Sequence, residues 1–305
     1  EPMLHAVIVN GNQQKLIDRY AKRHEFSFPI DNVTDLDLRR SECISAVKHT
    51  DEVFWGIQLT RISAKMTRIH IMLDMLFIDA TSAMILCQRV IERYNASIDG
   101  IEFTAQELPP LRFFDYCRAG INGDVSQASL SYWEEKVKTI PGPPQIPRIK
   151  YEVSQNANFD RCAATLNGDD WERIKGIAGH LQITPNSILL SAFAEVLRLY
   201  SENPEFTITV TMSERPVAIN NDYSGVVGEF TNVLLCPVTS AAGRGIVEQA
   251  VSFHQTLSAG LEHSDINGLD VIRMLRKHHN DPHLTFPIVF TSFIGIIKPG
   301  LELTG

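Results

Sequence analysis

Apolar and polar residues alternate at strand spacing in two neighbouring segments of the first half of the chain. Residues 54–62 read FWGIQLTRI and residues 67–73 read TRIHIML, with Ser-Ala-Lys after the first segment. A period of two is typical of a strand with one buried face, so the two segments predict a β-hairpin that leads into Asp74. Residues 82–94 then place apolar side chains at helical spacing, which predicts a helix packed on a sheet.

A proline-rich segment interrupts this pattern near the middle of the chain. Residues 139–150 read TIPGPPQIPRIK, with prolines at four of the twelve positions. Proline has no amide hydrogen and fixes its own φ, so no regular element is expected to pass through this segment. We therefore predict two lobes that divide here, 1–148 and 149–305.

The second half repeats the mixture of helix and strand patterns. Thr184 is a plausible N-cap, and Pro185 occupies the favoured first position of the helix that follows it. The periodicity predicts helices over 169–181, 185–200 and 246–261, and strands over 206–211, 233–238 and 286–291. Strands mixed with helices in both halves predict an α/β (α+β) fold with two lobes of similar size.

Composition and charge narrow the range of partners. The 305 residues carry a formal net charge of −8, which argues against nucleic acid because phosphate recognition needs a basic surface. The apolar runs are far shorter than the roughly 20 residues of a membrane span, so no membrane association is expected. Five cysteines without a close pair fit a protein of the reducing cytoplasm rather than a disulfide framework.

Candidate chemistry lies where the predicted hairpin meets the predicted helix. Asp74, Asp79 and Ser82 interrupt an otherwise apolar region. A carboxylate in such surroundings must be paired, hydrogen-bonded or solvated, because burying it unpaired costs several kcal/mol. Two interpretations follow from the residues alone. Either Asp79 or Ser82 caps the helix and Asp74 ends the strand, or the three side chains take part in catalysis.

The pattern Asp74-x4-Asp79-x2-Ser82 resembles the signature of heterocyclization domains of nonribosomal peptide synthetases, which form part of the condensation-domain superfamily. Ordinary condensation domains carry His-His-x3-Asp-Gly at the corresponding place. When the two signatures are aligned on Asp79, the histidine positions become Asp74 and Met75. The histidine usually associated with condensation is therefore absent.

Five further segments resemble motifs of the same family in the expected order, so the resemblance covers essentially the whole chain. These segments are 2–13, 141–147, 184–201, 228–235 and 287–292. Glu229 stands where the family has Asp, and Tyr200 stands where it has Trp. The resemblance also implies a first motif before Glu1 and a later motif with a catalytic Asp beyond Gly305, so both lobes are expected to be incomplete at these ends.

The resemblance implies a fold and a reaction. The lobes would resemble chloramphenicol acetyltransferase and form a V-shaped pseudo-dimer around a tunnel. Upstream and downstream carrier domains would deliver thioesters on phosphopantetheine arms, beside an adjacent adenylation domain, and the domain itself would bind no cofactor or metal. It would join an acyl group to Cys, Ser or Thr through an amide, and then close a thiazoline or oxazoline ring by cyclodehydration.

The resemblance also implies roles for individual residues. A threonine is a poor base alone, so Thr291 would position groups and relay a proton together with the Asp expected beyond Gly305; on strand pattern alone, Thr291 is an ordinary β-branched residue. Asp74 would either brace the structure or face the tunnel. The implied site comprises Asp74, Asp79, Ser82 and Thr291 as catalytic residues, Arg215 of the other lobe as the salt-bridge partner of Asp79, and Phe230, Thr231 and Ser292 in the motifs at the tunnel.

Two other functions stay open on the sequence. One is a condensation-only or acyl-CoA-dependent acyltransferase of the same fold, against which Met75 counts because it replaces a histidine. The other is a degenerate pair of lobes that only docks carrier domains. The histidines of His278-His279-x3-His283 lack a local acid-rich cage, so they do not predict a metal site.

Overall fold

The computed structural model describes most of the chain outside a long segment near its start. The described ranges are 2–9, 13–16, 55–63, 66–101, 110–121, 125–147, 162–215, 217–218, 221–239 and 245–295. The chain forms two compact units. The first takes its described residues from 1–122 and 213–231 and ends with Gly295, and the second takes its residues from 123–212 and 232–294.

In the first unit, two antiparallel hairpins precede a long helix. Strands β1 (Ala6–Val9) and β2 (Gln13–Leu16) form one hairpin, and β3 (Trp55–Ser63) and β4 (Met66–Leu73) form the other. Helix α1 (Ala80–Ile98) follows, so the hairpin and helix predicted from 54–94 are both confirmed. Helix α2 (Phe113–Ile121) was not predicted. The short strands β6 (Val217–Ala218) and β7 (Asn221–Asp222) complete the unit.

The core of the first unit joins residues that are far apart in sequence. Phe77 and Ile78 are 1% exposed and pack with Phe113 of α2 and with residues of 223–230. Segment 223–230 therefore forms part of the same core as the turn between β4 and α1. The buried members of this core are Met3, Ala6, Phe77, Ile78, Phe113, Tyr223, Val226, Val227 and Phe230.

The second unit contains helices around a small sheet. Its helices are α3 (Gln127–Lys136), α4 (Gly168–His180), α5 (Pro185–Tyr200), α6 (Ile246–Glu262) and α7 (Gly268–His279). The sheet has the order β8 (Thr231–Val238), β5 (Phe206–Ser213), β9 (Val289–Phe290). Residues 206–210 are all buried, because β5 is central in the sheet and covered on both faces.

The predicted elements of the second half are confirmed except for one strand. Thr184 caps α5 by accepting a hydrogen bond from the Ser187 amide, and Pro185 is its first residue, as predicted. The strand predicted over 286–291 is wrong in extent, because only Val289 and Phe290 pair with β5. Pro287 has no amide hydrogen to donate to a strand ladder. Helix α7 was not predicted.

The compact units do not follow the predicted lobes 1–148 and 149–305. Trp133 packs with Leu234 and Leu275 in the second unit, although it precedes residue 148. Segment 213–231 belongs to the first unit, because Phe230 packs in its core. Residues 139–147 contain no helix or strand, as predicted, but the boundary at 148/149 lies outside the described residues. The two lobes and their V-shaped arrangement stay predictions, while the mixed α/β class is confirmed.

Candidate active site

The turn between β4 and α1 is shaped by Asp74. One carboxylate oxygen of Asp74 accepts a hydrogen bond from the Leu76 amide at 2.9 Å, and the Asp74 carbonyl accepts one from the Phe77 amide at 3.1 Å. Asp74 is half-buried, whereas Met75 and Leu76 are more than half exposed. The turn thus displays an aspartate and a methionine at the two positions where condensation domains carry histidines.

Asp79 caps α1 and is almost completely buried. Its Oδ1 accepts hydrogen bonds from the Ser82 amide at 2.7 Å and from Arg215 Nη2 at 2.5 Å. Its Oδ2 accepts from the Phe230 amide at 3.2 Å. The side chain is only 3% exposed, so these donors replace water around the carboxylate. The capping role proposed for Asp79 from its place in the sequence is therefore present in the structure.

The hydroxyl of Ser82 is used completely by neighbouring groups. Ser82 Oγ donates to the Gly228 carbonyl at 2.8 Å, and it accepts from the Gly228 amide at 2.9 Å and from Arg215 Nη2 at 2.7 Å. A hydroxyl has one proton to donate and two lone pairs, so no capacity is left for a substrate. This geometry favours a structural role for Ser82, and its catalytic assignment stays a prediction.

Arg215 closes this network, and we call Asp79, Ser82, Arg215, Gly228 and Phe230 the Asp79 cluster. Arg215 Nη1 donates to the carbonyls of Tyr223 at 3.3 Å and Val226 at 2.5 Å. The guanidinium carbon lies 4.2 Å from the centroid of the Phe230 ring, within the range of a cation–π contact. Burial lowers the pKa of Arg215, and the charge of Asp79 opposes that shift.

The ion pair that the resemblance implies between Asp79 and Arg215 is thus present, although both residues lie in the same compact unit. Arg215 follows β5, but its side chain is 7% exposed and packs in the core of the first unit. Arg215 Nε has no hydrogen-bond partner within the described ranges. The remaining contacts of this arginine nevertheless hold segment 213–230 against the start of α1.

Sequence reasoning missed the contribution of Gly228 and Phe113. A Cβ atom at Gly228 would lie 2.4 Å from the side chain of Phe113, so only glycine brings the backbone close enough to bond Ser82. Phe113 in turn packs edge-on against Phe230 at 5.0 Å between ring centroids. The Gly-Glu-Phe-Thr motif was the available signal for Gly228, whereas nothing in the local pattern around Phe113 indicated its role.

Glu229 is the half-buried carboxylate next to the Asp79 cluster. Its Oε1 accepts a hydrogen bond from the Thr231 amide at 2.8 Å, at the exposed first residue of β8. Burial raises the pKa of Glu229 above its ordinary value of 4.5, while the Thr231 hydrogen bonds lower it. The negative charge of Asp79 raises this pKa further, and Arg215 lowers it, with a net upward shift.

We expect Glu229→Gln to change how stability depends on pH. The folded protein holds the Glu229 proton to higher pH than the unfolded chain does. The contribution of this proton to the free energy of unfolding is therefore fully present below pH 4.5, and it is lost as pH rises through the pKa of Glu229 in the folded protein. Glutamine does not titrate and its amide oxygen can still accept from Thr231. The free energy of unfolding of the variant relative to the natural protein should therefore rise with pH above 4.5 and level off once the pH exceeds the raised pKa of Glu229 in the folded protein. Urea unfolding across this range measures it, and a relative stability that falls with pH would contradict it.

Thr291 and Ser292 lie in the second unit, directly after β9. Thr291 is exposed, and its Oγ1 accepts a hydrogen bond from Thr211 Oγ1 at 3.0 Å. Ser292 Oγ donates to Asn186 Oδ1 at 2.7 Å and accepts from the Ile294 amide at 3.3 Å. Sequence reasoning did not single out Thr211 or Asn186. The chain segment that carries Thr291 is thus anchored on both sides.

The described part of the chain contains no cluster of side chains with the composition of a metal site. No group of three or more His, Cys, Asp or Glu side chains could hold a metal ion within these ranges. None of the helices described in these ranges combines the length and the hydrophobicity of a membrane span. The rings of His278 and His279 contact each other edge-on at the end of α7.

Three comparisons with known proteins bear on this site. Residues 2–294 match the family model of the Condensation domain. Phenyloxazoline synthase MbtB of Mycobacterium tuberculosis is 28% identical over 313 residues, which cover 97% of this chain and 21% of that protein. Bacitracin synthase 1 of Bacillus licheniformis is 30% identical over 197 residues, covering 62% of this chain and 4% of that protein. The chain therefore spans about a fifth or less of these curated relatives.

A solved structure supports the fold. The EpoB nonribosomal peptide synthetase cyclization-docking bidomain from Sorangium cellulosum superposes with a TM-score of 0.74 at 23% identity. The match covers 96% of this chain and 60% of that chain. The two proteins share the fold, in agreement with the fold that the signature motifs imply.

Proposed function

Because this chain belongs to the condensation-domain family of nonribosomal peptide synthetases, we propose that it forms an amide between two carrier-bound substrates and then closes a heterocycle. The donor is an acyl or aminoacyl thioester, and the acceptor is a carrier-bound Cys, Ser or Thr. Both arrive on phosphopantetheine arms of upstream and downstream carrier domains, beside an adenylation domain. The domain itself would bind no cofactor for this reaction.

The reaction has two chemical stages. First, the acceptor amine attacks the thioester carbonyl carbon, the C–S bond breaks, and the upstream thiol leaves with the proton lost by the amine. Then the side-chain sulfur or oxygen of the acceptor attacks the new amide carbonyl carbon, and its proton passes to the carbonyl oxygen. The resulting C–OH bond breaks, the hydroxyl leaves as water with the former amide proton, and a C=N bond completes the ring.

The main support for this proposal is the identity of the residues in the turn between β4 and α1. Asp74 and the exposed Met75 occupy the histidine positions of ordinary condensation domains, so the turn offers no imidazole base. Asp79 and Ser82 are occupied by Arg215 and Gly228 and would hold the turn in place. The names of the similar proteins, a phenyloxazoline synthase and a cyclization bidomain, support ring formation over simple condensation.

The chain has a suitable group for the second stage in Thr291. Its hydroxyl is exposed and uncharged, and it accepts a hydrogen bond from Thr211. It can therefore direct its own proton at the oxygen that leaves as water. Its part in catalysis is a proposal that follows from the resemblance and from this geometry.

The test follows product mass with the intact protein that contains this chain. Both carrier partners are loaded, and the products are released and weighed. Formation of the amide followed by loss of one water supports the proposal. An uncyclised amide as the sole product would reduce the function to condensation, and binding of carriers without turnover would leave a docking role only.

A further inference from the structure

The hydroxyl group of Thr211 lies directly beside that of Thr291. Thr209 pairs with Val289 and Val210 with Phe290 in the parallel register of β5 and β9. Thr211 is the next residue of β5, and Thr291 directly follows β9. The two Oγ1 atoms are 3.0 Å apart, with Thr211 as the donor. We call these two residues the threonine pair.

This donor direction determines what the Thr291 hydroxyl can do. A hydroxyl has a single proton, and Thr211 donates its proton in the hydrogen bond to Thr291. The proton of Thr291 is therefore left to point away from Thr211. Because Thr291 is exposed, this proton is available to solvent or to a bound substrate.

Hydrogen bonds hold the backbone on both sides of the threonine pair. Two residues earlier on β5, Thr209 is 6% exposed, and its hydroxyl donates to the Phe286 carbonyl at 2.9 Å. The Thr209 amide donates to the Ile288 carbonyl, also at 2.9 Å. On the other side of Thr291, Ser292 is bound to Asn186 in the first turn of α5. The backbone next to Thr291 is therefore held on both sides, and rotation about χ1 decides where its hydroxyl lies.

We propose that Thr211 is a positioning residue that fixes the rotamer of Thr291 and directs its hydroxyl proton at the group expelled during ring closure. This inference rests on the proposed cyclodehydration, since it concerns the second stage alone. Thr211 itself would not touch the substrate. Amide formation would not depend on the threonine pair.

The test compares ring formation with amide formation in the intact protein carrying Thr211→Val. Valine keeps the shape and the strand preference of threonine and removes only the hydroxyl. We expect the ratio of ring formation to amide formation to fall about tenfold, as for loss of one orienting hydrogen bond. Thr211→Ser, which keeps the hydroxyl, should restore the ratio to within about threefold of the natural protein.

Two further variants separate positioning from stability. Thr207→Val removes a buried hydroxyl from the same face of β5, where it donates to the Pro141 carbonyl and makes no contact with the segment that carries Thr291, so it should lower the melting temperature and leave the product ratio unchanged. Adding Thr211→Val to Thr291→Val should cause no further loss, because the two hydroxyls act as one unit. A Thr211→Val ratio equal to that of the natural protein, or additive losses in the double variant, would overturn the inference while the proposed function stands. A natural protein that yields only uncyclised amide would instead remove the proposed function and this inference with it.

Discussion

Thr291→Val should separate the two stages of the reaction. We expect ring formation by the intact protein to fall about 10²-fold or more, the usual loss for a positioned acid–base group, while amide formation changes by less than about threefold. Valine matches the shape of threonine at this exposed position, so the free energy of unfolding should hardly change. Products with and without loss of water are counted by mass under single-turnover conditions.

Thr291→Ser provides the matched control for this experiment. Serine keeps a hydroxyl that can accept from Thr211, so most of the ring formation should survive. Equal losses in amide formation and ring formation would contradict a role confined to the second stage. The amide product serves as an internal measure of folded, substrate-bound protein.

Asp79→Ala should have the largest effect on stability. It removes the N-cap of α1 and leaves the Arg215 guanidinium buried without its counter-charge, so we expect a loss of about 3–5 kcal/mol in the free energy of unfolding. Urea unfolding measures this loss. A second substitution, Arg215→Met, should recover part of it, because it removes the unpaired buried charge.

The exposed ion pair of Glu172 and Lys175 on α4 offers a comparison in the same chain. Its atoms lie 2.6 Å apart, about as close as those of Asp79 and Arg215, but the Glu172 side chain is 70% exposed. Glu172→Ala should cost less than about 1 kcal/mol. If Asp79→Ala were equally mild, the Asp79 cluster would not carry the stability that its burial indicates.

This difference matters for interpreting activity. A variant at Asp79 or Ser82 that loses turnover has lost the contacts that hold segment 213–230 against α1. Such a loss therefore does not identify a catalytic carboxylate or hydroxyl. Thr291 is the better probe of chemistry, because its exposed hydroxyl can be removed with little change in packing.

Patterns of nearby residues are enough to predict most of the helices and strands and the family of the chain. Alternation over 54–73 and helical spacing over 185–200 predict the β3–β4 hairpin and α5, and Thr184 and Pro185 mark the start of α5. These features depend on residues a few positions apart, which is the range over which periodicity carries information. Six motifs in a fixed order indicated the same family that residues 2–294 match.

The groups that complete each candidate site come from distant parts of the chain and are brought together by the fold. Gly228 lies 146 positions from Ser82, and Thr211 lies 80 positions from Thr291, yet each pair is joined by hydrogen bonds. The hydrogen-bond partner of a buried polar group depends on which segments pack together. A local sequence pattern does not show which distant segment this is. The same reason explains why Ser82 could be read from sequence as a catalytic candidate. Its hydroxyl is filled by Gly228 and Arg215, two partners that only long-range packing brings to it.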